Sequence, residues 1–132
     1  QTFSQKILLS EPVSRTAMFR SNFCAAVRLS EAEAKKRCAT LSSQWKLLTV
    51  APERGGFELQ RIFEFRDFQS AFGFMSRVAI AADKADHHPN WSNVYSTVDV
   101  KLWTHDAPGL TEKDFALAAQ MDQIAASSGL VE

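Results

Sequence analysis

No charge of either sign is in surplus in this chain: 15 lysines and arginines face 15 aspartates and glutamates over 132 residues. That excludes a global basic field for nucleic acid, and there is no acidic tail, so direct nucleic-acid binding is not expected. No apolar run approaches the ~20 residues that a transmembrane helix needs, so no membrane partner is expected. Cysteine is scarce. Cys24 and Cys38 form no metal-type spacing and read as free thiols of a reducing compartment. There is no internal repeat and no low-complexity segment. The length suits one domain with one core, and 45% hydrophobic with 23% charged residues suits a soluble globular protein. The expected setting is cytoplasmic, with an organelle or the nucleus as alternatives.

The first residue is Gln1, which reads as a processed or trimmed start. Residues 1–28 carry Lys6, Arg15, Arg20 and Arg28 against Glu11 alone, as the remnant of a targeting peptide would. Ile7, Leu8, Leu9, Met18, Phe19 and Phe23 instead suit an arm packed on the domain or on a neighbouring subunit. Residues 1–26 are therefore set apart as an N-terminal extension, with the domain over 27–132.

What is present is strongly periodic. Ser30 and Glu33 form a capping box opening a helix that should run to about Ser43. Trp45 to Val50 suits a short strand, followed by a turn at Pro52 and Gly55-Gly56. Phe57, Leu59, Phe63 and Phe65 fall on alternate positions, interrupted by Arg61, and predict a strand hairpinned to the previous one. Phe68, Ala71, Phe72, Met75, Val78, Ala79 and Ala82 recur at helical steps and predict a core-facing helix over about 67–86. Pro89 should end it near His87. Val94, Val98, Val100 and Leu102 are expected on the core face of a strand pair broken at Ser96. Thr111 and Asp114 should cap a last helix running to about Ala126. The order α-β-β-α-β-β-α predicts an α+β fold: a single four-stranded antiparallel sheet with three helices packed on one face.

The chemistry concentrates between residues 83 and 105. His87 and His88 stand side by side before Pro89, behind Asp83 and Asp86, and His105 follows a strand-like run. Imidazole titrates near neutral pH, so three at element ends suit proton transfer. Asp83 and His87, four apart on a helix, should share a face, and the helix C-terminus favours imidazolium. Three imidazoles are expected to converge on a small pocket walled by Trp91 and Trp103. Acid–base catalysis, a three-histidine metal site and plain surface histidines all remain readings of this spacing. The metal reading lacks the four-residue helical histidine pair of many zinc sites.

These residues also carry a resemblance. The segment from Phe63 to Ala126 resembles the pterin-4a-carbinolamine dehydratases, through the run Phe72 to Ala79, Asp83 through Tyr95, Thr104-His105-Asp106, Gly109-Leu110-Thr111 and Asp114. Asp83, His87, His88, Pro89, Tyr95, His105 and Asp114 fill the family's signature. The resemblance implies a hydro-lyase that removes water from 4a-hydroxytetrahydropterin, giving quinonoid dihydropterin in tetrahydrobiopterin recycling. Pterin is then the substrate, and no cofactor or metal is expected. It further implies that His88 binds pterin and is essential, while His87 and His105 act as acid or base toward opposite ring faces. Asp83, Asp86, Trp91 and Thr104 become substrate-binding or histidine-orienting candidates. Pro89 and Tyr95 give shape, and Asp114 caps Thr111. Departures are Asp83, shorter than glutamate, and the bulky Trp103. A homo-oligomer, dimer or tetramer, is expected. Relatives in animals also serve as dimerisation cofactors of a homeodomain transcription factor, which leaves a protein partner as the alternative role.

Overall fold

The computed structural model describes residues 26–131. The N-terminal extension over 1–26 and Cys24 lie almost entirely outside the described residues. The elements are α1 (Glu31–Cys38), β1 (Lys46–Thr49), β2 (Phe57–Glu64), α2 (Phe68–Lys84), β3 (Asn90–Val94), β4 (Thr97–Leu102) and α3 (Glu112–Ala126), with a 3-10 turn at Pro52–Arg54. The strands form one antiparallel sheet in the order β1-β2-β4-β3, as the period-two runs predict.

The register decides which side chains meet the helices. Leu59 pairs with Leu102, Arg61 with Val100 and Phe63 with Val98, so these odd β2 positions share a face with the even β4 positions. Leu59, Phe63, Val98, Val100 and Leu102 are fully buried there against Phe74, Val78 and Met121. Arg61, the polar break in β2, is buried on the same face. It meets Asp122 of α3 at 2.6 Å and lies over the Phe63 ring, and Asp122 also accepts from Trp45 Nε1 at 2.8 Å. A buried cation needs such a partner, since an unpaired charge in the core is costly.

Three local expectations are corrected. The first helix stops at Cys38, short of Ser43, because 3-10 bonds from Thr40 N to Arg37 O and Leu41 N to Cys38 O wind it off. The apolar stripe of α2 is rotated from the expected one. Ala71, Phe74, Val78 and Ala82 are buried, whereas Phe68 and Phe72 are half exposed and Ala79 is exposed. Val94 does not join Val98, Val100 and Leu102 but is exposed. The two-residue Tyr95-Ser96 turn pairs Val94 with Thr97. This reverses parity along the chain and gives the helix face to Trp91 and Asn93.

Candidate active site

The end of α2 sets the first two histidines. Asp86 N donates to Asp83 O at 3.1 Å and His87 N to Ala82 O at 3.0 Å, around a left-handed Asp86 at φ +47°. This is the Schellman pattern, with Asp86 where glycine is usual. It turns the chain sharply, so His87 points back into the domain and is 7% exposed, while His88 emerges into solvent.

His87 meets α3. Its Nε2 lies 2.7 Å from Asp114 Oδ1. Asp114 is fully buried, and its other oxygen, Oδ2, accepts from Thr104 Oγ1 at 2.8 Å and from Thr111 N at 2.9 Å. The last bond completes the expected capping box. Thr104 Oγ1 also lies 2.7 Å from Thr111 Oγ1. A buried carboxyl group tied on one oxygen to Thr104 and Thr111 is rigidly placed, and it fixes the plane of the imidazole beside its other oxygen. The expected Asp83–His87 pair is not formed. Asp83 Oδ1 instead lies 3.5 Å from His88 Nε2, both side chains being well exposed.

Because Asp114 gathers both His87 and Thr104, the next residues along each segment, His88 and His105, leave from the same corner of the sheet. His105 opens the turn that follows β4, closed by the Thr104–Gly109 bridge. Its ring lies 5.1 Å from the Trp103 ring. Trp91, on the helix face opposite Val100, is half buried against the core. Pro89, just ahead of β3, is half buried. Tyr95 is elsewhere. It occupies the exposed tip at the far end of the β3–β4 hairpin, with φ +52°. Among the described residues, no group of three or more histidine, cysteine, aspartate or glutamate side chains is placed to hold a metal ion.

Sequence reasoning placed Asp114 at a helix cap and missed its second bond, to His87 across 27 residues. The available signal was the Thr104/Thr111/Asp114 trio, since two hydroxyls and a carboxylate near apolar neighbours must satisfy one another when buried.

A protein built this way presents one oriented buried imidazole and two exposed ones at one corner, which suits acid–base chemistry. The family model for pterin 4 alpha carbinolamine dehydratase matches residues 27–124. A provisionally named pterin-4-alpha-carbinolamine dehydratase of Nitrobacter hamburgensis is 50% identical over 105 residues, covering 80% of this chain and 98% of that protein. A second, from Afipia carboxidovorans, is 57% identical over 76 residues, covering 58% of this chain and 76% of that protein. The crystal structure of a transcriptional coactivator/pterin dehydratase from Brucella melitensis superposes with a TM-score of 0.66 at 41% identity, covering 75% of this chain and 99% of that one. A pterin dehydratase-like RuBisCO assembly factor of the alpha-carboxysome shares the fold at 22% identity and a TM-score of 0.53. With the matched region spanning every element from α1 into α3, the chain belongs to the pterin 4 alpha carbinolamine dehydratase family.

Proposed function

We propose that the protein dehydrates pterin 4a-carbinolamine to quinonoid dihydropterin, in tetrahydrobiopterin recycling, by histidine acid–base catalysis. The C4a–O bond breaks as the hydroxyl takes a proton and leaves as water, and N5 gives up its proton to restore the double bond. One imidazolium and one imidazole supply these transfers near neutral pH. No electron is gained or lost, so the step draws on no redox cofactor, and we assign it to imidazole chemistry without a metal.

The observation that carries this reading is His87 held by buried Asp114. A carboxylate behind an imidazole sets its orientation, as in hydrolase triads. His87 and His105 then serve as acid and base. His88, exposed beside Asp83, contacts the pterin, with Asp83 biasing its ring and Trp91 as an apolar wall. Thr104, whose hydroxyl is shared between Asp114 and Thr111, acts from beneath the site on Asp114. Asp86 contributes chiefly through its backbone at the Schellman turn. A dimer or tetramer is the working assembly, and the β1 and β3 sheet edges, unpaired among the described residues, offer the pairing surface.

A second reading, a non-catalytic dimerisation cofactor for another protein, draws on the outer face of α2, where Phe68, Phe72 and Ile80 are exposed. A spectrophotometric assay of 4a-hydroxytetrahydropterin dehydration with and without chelator separates the two. Acceleration indifferent to chelator is the expected result. No acceleration by folded protein would transfer the weight to the binding role.

A further inference from the structure

His105 is exposed and engages no hydrogen bond among the described residues; its ring contact is with Trp103. A side chain so placed would otherwise populate several rotamers. Trp103 is itself fixed from the opposite hairpin, where the Arg54 guanidinium carbon lies 5.0 Å from the Trp103 ring centre. Arg54 is held in turn by Nη2 at 2.9 Å from Glu58, whose carboxylate is nearly buried. The next residue, Gly55, is buried at φ +92° and packs directly on the His105 turn. A Cβ there would lie 2.2 Å from the Cα and N of Gly109. Gly109 closes that turn through Thr104 N to Gly109 O at 2.8 Å. The connection between β1 and β2 thus grips the His105 turn twice, through glycine backbone and through the Arg54–Trp103 contact.

We propose that Trp103, steadied by Arg54, is a positioning residue for His105: the indole selects the imidazole orientation that reaches the substrate. Arg54 and Trp103 lie outside the histidine motif and touch no reacting atom in this scheme. The catalytic consequence rests on the proposed role of His105 as acid or base. The orientation itself does not.

The test pairs ring NMR with kinetics on the full chain. In the wild type the His105 ring protons, assigned by their loss in His105→Gln, should be displaced by the indole ring current. Trp103→Leu should move them to the position of a free exposed histidine, Arg54→Ala part of the way, and Trp103→Phe should keep a displaced signal. Trp103→Leu should lower kcat roughly three- to tenfold with little change in KM, and Trp103→Phe should recover most of it. If Trp103→Leu fails to fold, Arg54→Ala and Trp103→Phe carry the same comparison. Unmoved His105 signals in the leucine variant, or in Arg54→Ala where leucine does not fold, would overturn the proposal. So would moved signals with unchanged kcat. A wild type without dehydratase activity would instead overturn the proposed function, and the NMR arm alone would then decide the positioning.

Discussion

His87 and Asp114, 27 residues apart in sequence, meet at 2.7 Å where the end of α2 faces the first turn of α3. Two devices place them there: a Schellman turn that sends His87 inward and a capping box that holds Asp114 at the third position of its helix. The carboxylate thus has a structural duty at the helix cap and, in the proposed mechanism, a chemical one, and the two are separable by mutation.

Asp114→Asn keeps the shape but offers an amide hydrogen toward groups that themselves donate. Unfolding stability in urea should fall by about 1–3 kcal/mol, and turnover by roughly 100-fold. Asp114→Ala should be the less stable of the two, because it leaves the Thr104 hydroxyl and Thr111 N–H without this acceptor in a buried site. Wild-type turnover in the folded asparagine variant would contradict the role given to the pair.

Asp86 is held left-handed at φ +47°, a conformation that costs an ordinary residue roughly 1 kcal/mol. Asp86→Gly should therefore melt at or above the wild-type temperature, while Asp86→Val should melt several degrees lower. Activity in the glycine variant near that of the wild type is expected if the carboxylate is not needed for the pterin, and a large loss would show that it is.

Gly55→Ala drives a Cβ into the Gly109 backbone and demands an unfavourable φ as well. We expect a loss of about 2–4 kcal/mol in urea unfolding. Gly73→Ala is the control, since no neighbouring atom lies within 4 Å of a Cβ there, and it should be neutral or stabilising.

The cap of α2 predicts an acid-side effect. Hydrogen bonds from the Ser70 side chain and backbone hold the Asp67 carboxyl below its ordinary 3.8. A depressed value means that the stabilisation is complete above 3.8 and is lost as pH falls through the lower folded-state value. Asp67→Ala should melt below the wild type at pH 6, with the gap closing under pH 3.8. A gap that stayed constant down to pH 2 would rule out ionisation of this cap as the cause.

Much of this was legible in the sequence, and the failures have definite causes. Period-two runs gave the strands and sheet type, because alternation maps directly onto faces. Val94 went wrong since a two-residue turn reverses parity, which a continuous count misses. In α2 two apolar faces compete: Phe74 is buried while Phe72 is exposed, and only the packed sheet chooses between them. The histidines were visible by type, but their partners were not. Asp83 was matched to His87 on helical spacing, yet the helix ends at Lys84 and the Schellman turn redirects the ring to α3.

The most direct test is the rate of 4a-hydroxytetrahydropterin dehydration by wild type and His88→Ala, with circular dichroism on both. The His88 side chain is 61% exposed, so its removal should leave the fold and melting temperature nearly unchanged. Strong acceleration by the wild type and loss of most of it in the variant are the expected results. Equal rates in two folded proteins would contradict histidine catalysis at this corner.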